Sequence, residues 1–138
     1  MSDGAAVGAT GRVGRIARGA LAIALFSAAL WYGAFWMQNY TPQRRWLRLA
    51  MRSEAFHVAA HLVLYGALYA LCRALFAALG RAGVALAVGV TVAVAFVQEM
   101  VQVVTYRGRF GEGEAFDIVV DCVAIAIVSA LLRWRRKK

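Results

Sequence analysis

The chain has 138 residues, a formal net charge of +9, 62% hydrophobic residues and a mean hydropathy of +0.63. With a single proline, that composition excludes a strand-and-turn-rich soluble domain and fits one small all-α membrane domain. The Lys and Arg residues sit at the ends of apolar segments and in the tails, where they contact headgroups and set topology, so no nucleic-acid partner is expected.

Residues 1–17 are rich in Gly, Ala and Arg, with Arg12, Arg15 and Arg18 spaced by three, and read as a basic mobile tail. The transmembrane domain is expected over 18–132. Its first helix runs over about 19–37, too long for the apolar core of a signal peptide, and leads into Trp31, Tyr32, Trp36 and Tyr40, an interfacial aromatic belt. Between about 38 and 56, Arg44, Arg45, Arg48 and Arg52 share one side of a helical wheel, while Trp46, Leu49, Ala50, Ser53 and Phe56 spread over the other. That pattern predicts a short amphipathic helix in the membrane interface, with a solvated loop as the alternative.

The second helix, about 56–79, carries His57, His61, Tyr65 and Tyr69 at intervals of four, hence on one face. Arg73 lies toward its far end and can snorkel. The short turn Gly80-Arg81-Ala82-Gly83 predicts an antiparallel third helix over about 84–104. That helix begins with small residues that permit close approach and ends with Glu99 and Gln102. The loop YRGRFGEGE, Tyr106 to Glu114, reads as flexible. The fourth helix, about 115–132, opens with Asp117 and Asp121, and the basic tail 133–138 stops it. The fold class expected is therefore a four-transmembrane-helix bundle with a short interfacial helix between the first and second helices.

Antiparallel neighbours bring His57, His61, Glu99, Gln102, Asp117 and Asp121 to one leaflet, opposite the termini, each within roughly 10 Å of the interface. Ten Lys and Arg residues fall on the side of the termini and six on the other, which predicts cytoplasmic termini and an outward-facing polar site.

An ionisable group inside a membrane normally has a partner or a task. His57 and His61, at i and i+4, suit proton handling, metal ligation, or hydrogen bonds between helices. Glu99 either serves a site or makes a structural pair with His61 or an arginine, and Gln102 supports it. Asp117 caps the fourth helix or joins the site. Asp121 lies one turn deeper and could share a proton with Glu99. Arg107 and Arg109 bind a phosphate headgroup or neutralise Glu112 and Glu114. Tyr65 and Tyr69 read more as packing, with Tyr65 also near enough to touch a ligand. Cys72 and Cys122 lack metal-type spacing and read as buried free thiols. No cofactor is expected. A metal held by His61, Glu99 and Asp121 is not established by spacing, and no metal ligand is assigned.

His61-x-x-x-Tyr65, Glu99-x-x-Gln102, Arg107 or Arg109, and Asp117-x-x-x-Asp121-x-x-Ala124, in that order over residues 54 to 132, resemble the VanZ-like family of small membrane proteins. Asp121 stands where that family usually has Asn, Ala124 where it has Gly, and His57 where an acidic residue often precedes the His. The loop is lengthened by Gly111-Glu112-Gly113-Glu114, so the site's charge balance is altered. The family's founding member is associated with resistance to teicoplanin, a lipid-tailed glycopeptide acting at the outer leaflet. The resemblance implies a protein of the bacterial cytoplasmic membrane that acts on or shields a lipid or lipid-linked cell-wall amphiphile.

If a reaction occurs, Glu99 or Asp121 is the general base and His61 its partner, since no Ser or Cys nucleophile is well placed. Two other readings stay open. One is a small structural subunit pairing Glu99 and Asp121 with a larger membrane protein. The other is a proton-coupled transporter, which with four helices would need to be a homodimer.

Overall fold

The computed structural model describes residues 19–29, 32–33, 53–105, 108–135 and 137–138. The architecture is all-α: α1 (Gly19–Ala29), α2 (Glu54–Leu75), α3 (Gly80–Thr105) and α4 (Glu112–Arg135), with no strand among the described residues. Three of the helices are long and apolar enough to cross a membrane, namely α2 with its mean hydropathy of 1.6, the stretch Ala77–Thr105 at 2.1, and α4 at 2.4. Most of the expected interfacial helix, the end of the first helix, Tyr106 and Arg107 lie outside the described residues.

The helices start and stop where local chemistry dictates. Ser53 is the N-cap of α2, its Oγ accepting from the Phe56 N–H at 3.4 Å, with Glu54 beside the positive end of the helix dipole. The helix thus begins two residues before the expected start. It also ends four residues earlier, at Leu75. The Phe76 N–H reaches back to the Cys72 carbonyl at 2.9 Å, and a 3₁₀ turn, Ala77–Leu79, follows. The turn between α2 and α3 is therefore Phe76–Leu79, not the expected Gly80–Gly83. Its residues are all apolar, so nothing in composition marks it. Two glycines make it possible. Gly80 takes φ +54°, and a Cβ on Gly83 would stand 2.0 Å from the Phe76 carbonyl oxygen, so the first turn of α3 lies directly against the end of α2.

α4 starts three residues before the expected position. The Glu114 carboxylate accepts from the Gly111 N–H at 2.9 Å, the return bond of a capping box with glycine as N-cap. Asp117, expected as a possible cap, lies well inside the helix and is free for another partner.

Packing sets large side chains of α2 against small ones of its neighbours. Tyr65, Leu68, Tyr69 and Cys72 of α2 meet Ala87 and Ala95 of α3, and Ala124 and Ile125 of α4. The buried face of α3 is a single row at intervals of four: Gly83, Ala87, Thr91, Ala95 and then Glu99. Thr91 satisfies its hydroxyl within the helix, donating to the Ala87 carbonyl at 2.8 Å. Gly66 admits Val128 of α4, whose Cγ2 would lie 3.2 Å from an added Cβ. The start of α1 meets the end of α2, Gly19 beside Leu75, as antiparallel neighbours do, and Ile23 and Phe26 pack on the core.

Leu21, Val63, Phe96, Val119, Ile127 and Leu131 point outward and are exposed, as lipid-facing positions are. Lipid is as apolar as the core, so burial alone does not favour helix–helix over helix–lipid contact. Close packing and interhelical hydrogen bonds must hold the bundle together.

Candidate functional site: a histidine–carboxylate ladder between helices

α2 and α4 run parallel, because α3 returns between them, and their facing rows stay in one register. His57 faces Asp117, His61 faces Asp121 and Tyr69 faces Ser129, each pair sixty positions apart. The outermost rung joins His57 Nε2 to Asp117 Oδ2 at 3.0 Å, with the His57 side chain 44% exposed. One turn deeper, His61 Nδ1 lies 2.9 Å from Asp121 Oδ1, and both side chains are buried. The two imidazole rings lie 4.6 Å apart with their planes tilted by 42°, and Tyr65 follows with its ring 5.6 Å from that of His61. At the bottom the Ser129 hydroxyl donates to Tyr69 Oη at 2.8 Å.

α3 closes the site from the other side. The Tyr65 hydroxyl donates to Gln98 Oε1 at 2.7 Å, fixing the level of α3 against α2. The next residue, Glu99, ends the small-residue row and is 1% exposed. Its hydrogen-bond partner is Gln102, whose Nε2 donates to Oε1 at 3.4 Å. Glu99 is near enough to His61, Asp117 and Asp121 for their charges to act on one another. Among the described residues the two His–Asp contacts are the ion pairs, so three carboxylates gather about two imidazoles with no Lys or Arg bonded to them. Asp121 Oδ2 is buried and has no hydrogen-bond partner among the described residues.

The structure thus brings together five of the six polar residues expected at one leaflet, and ties the sixth, Gln102, to Glu99. It changes who pairs with whom. His61 is hydrogen-bonded to Asp121 rather than to Glu99, and Asp121 pairs with an imidazole rather than with a second carboxylate. The reason is helix order: α2 packs directly and most extensively on α4, which puts the i, i+4 histidines opposite the i, i+4 aspartates. Arg109 is exposed beyond the end of α3 and makes no ion pair among the described residues, and Glu114, expected as a possible arginine partner, is used in capping. Tyr65, expected as a ligand contact, is fully buried with its hydroxyl committed to Gln98.

Gln98 and Ser129 were not singled out. The signal for Ser129 was the matched stride of four on both helices. Gln98 had only its place beside Glu99. Both cysteines are free thiols, Cys72 buried as expected. Cys122 is exposed because it lies about 100° round α4 from the buried Asp121.

No family model, curated protein or solved structure matches the chain. Fold and site together define a small helical membrane protein with a cluster of carboxylates and histidines at one end of its bundle, of which His61, Glu99 and Asp121 are buried.

Proposed function

We propose that the chain is a VanZ-like integral membrane protein of the bacterial cytoplasmic membrane. Its termini are cytoplasmic and its polar site lies in the outer leaflet. There it engages the head of a lipid or lipid-linked cell-wall amphiphile, acting on it or shielding it, and so protects against lipoglycopeptides. The observation that carries this reading is Glu99, 1% exposed at the end of a row of small residues and held, among the described residues, by a single long bond from Gln102. A carboxylate kept there is costly as a stability device and economical as a binding group. The half-exposed His57 and the exposed Arg109 give a polar headgroup a way in from the membrane surface.

The test is teicoplanin susceptibility in a Gram-positive host making wild type or Glu99→Gln at matched membrane levels. Protection by wild type alone supports the reading. Equal protection by both removes Glu99 from the site. Protection by neither shifts the weight to a subunit that pairs with a larger membrane protein, which co-purification in mild detergent would reveal. Fusing a fluorescent protein and, separately, a periplasmic phosphatase to the C-terminus checks orientation: fluorescence without phosphatase activity is expected.

A further inference from the structure

We infer that the chain binds one divalent transition-metal ion of the zinc class between the starts of α2 and α4, ligated by His57, His61 and Asp117, with Asp121 as the carboxylate behind His61. The inference uses the polar end described above but rests on donor geometry, not on the identity of any amphiphile.

One donor atom from each of His57, His61 and Asp117 lies within 4.8 Å of the other two. Donors at about 2.0–2.2 Å from a tetrahedral ion stand about 3.3–3.6 Å from each other, so roughly 1 Å of side-chain movement completes the set. One edge already has nearly that length, His57 Nε2 to Asp117 Oδ2 at 3.0 Å. A cation on that edge takes the place of the shared proton. Two histidines at i and i+4 present both rings on one helix face, the spacing by which helices commonly supply two ligands to one ion.

Asp121 gives the second, independent observation. Its Oδ1 lies 2.9 Å from His61 Nδ1. A carboxylate there holds the proton on Nδ1 and leaves the Nε2 lone pair for a metal, the usual arrangement behind a ligating histidine. Its Oδ2 is buried in a residue 1% exposed and has no hydrogen-bond partner among the described residues. A buried carboxylate oxygen without a donor calls for positive charge nearby. Glu99, Asp117 and Asp121 together present three carboxylates, and with neutral imidazoles their negative charge is offset by nothing bonded to them among the described residues. A divalent cation supplies that offset in a medium of low dielectric.

The donor types set the metal class. Two imidazoles with a carboxylate suit zinc or cobalt; calcium and magnesium prefer all-oxygen shells. The half-exposed His57 provides the entry path and leaves a coordination position toward the membrane surface.

The test uses the untagged full-length protein in mild detergent, stripped with a chelator, then titrated with zinc against a chromophoric chelator and separately with cobalt. One zinc per chain is expected, with the intense visible absorption of tetrahedral cobalt. His61→Gln and Asp117→Asn should each weaken zinc at least 100-fold. Asp121→Asn, which positions a ligand without being one, should weaken it about 10–100-fold while leaving the cobalt spectrum and the stoichiometry unchanged. Cys122→Ser should leave binding intact, which separates this site from an exposed thiol. Absence of stoichiometric zinc and cobalt binding by wild type, a test that needs no variant to fold, overturns the inference. So does binding that His61→Gln and Asp117→Asn both leave unchanged. Drug protection by a chain that binds no zinc would overturn the metal and leave the amphiphile reading standing.

Discussion

The two ends of the bundle formed by α2, α3 and α4 use the same geometry for opposite purposes. At the turn end, rows at intervals of four carry Leu68, Tyr69 and Cys72 against Ala87 and Thr91, and Gly83 lies against the Phe76 carbonyl. At the other end the same rows carry His57 and His61 against Asp117 and Asp121, with Glu99 closing the row of α3. The turn end gains its stability from closeness, and the strongly polar group within it is Arg73, whose Nη1 is buried without a hydrogen-bond partner among the described residues. The polar end holds groups whose burial works against stability, and among the described residues Asp121 Oδ2 is left there without a partner. A protein that keeps such groups in a membrane invests the stability of one end in the chemistry of the other.

Substitutions at the two ends should therefore behave differently. The largest expected effect is at the turn. Gly83→Leu drives a side chain into the Phe76 backbone and should abolish the folded monodisperse protein, as read by gel filtration of a fluorescent fusion. Gly89→Ala, with nothing within 4 Å of its added Cβ, should change stability by no more than about 1 kcal/mol, upward. Next comes Asp121→Ala, which strands the buried His61. A loss of roughly 1–3 kcal/mol in reversible detergent unfolding is expected, and Asp121→Asn should recover part of it. Glu99→Gln should sharpen the contrast most. Neutralising a buried carboxylate held by one long bond should leave stability unchanged or raise it, while drug protection is lost. A clear fall in stability would make Glu99 structural. The smallest expected loss is at Tyr69→Phe, about 1 kcal/mol from one hydrogen bond. The double variant with Ser129→Ala should cost less than the two single losses added together, because no hydroxyl is then left unpaired.

Much of this was legible in the residues. Apolar runs long enough for a membrane and the short α2–α3 connection defined the all-α hairpins. Spacings of four put His57, His61, Asp117 and Asp121 on faces that antiparallel order carries to one end. What could not be read was rotation. Nothing in a single helix tells whether His61 looks at α3 or at α4, so its pairing with Asp121 instead of Glu99 emerged only from the packing of α2 on α4. Helix ends were misjudged for two opposite reasons. The turn at Phe76–Leu79 is as apolar as the helices it joins, so hydropathy ran straight through it. The stretch Gly111 to Glu114 looked like a loop because of its glycines, whereas Glu114 turns back on the Gly111 N–H and starts the helix there.

The constant separation of sixty positions means that the ladder has a period, and a periodic contact has discrete alternative alignments. Sliding α4 by four residues, about 6 Å, leaves the ridges meshed. Moved one way, Asp117 meets His61 while His57 faces Gly113 and Asp121 faces Tyr65. Moved the other way, Asp121 meets His57 while His61 faces Ile125. Either slip takes one buried group, Asp121 or His61, from its partner and leaves it against Tyr65 or Ile125, a penalty of several kcal/mol. The graded sequence of rungs therefore acts as a vernier: small residues allow the helices to approach at any of several settings, and the polar groups admit one.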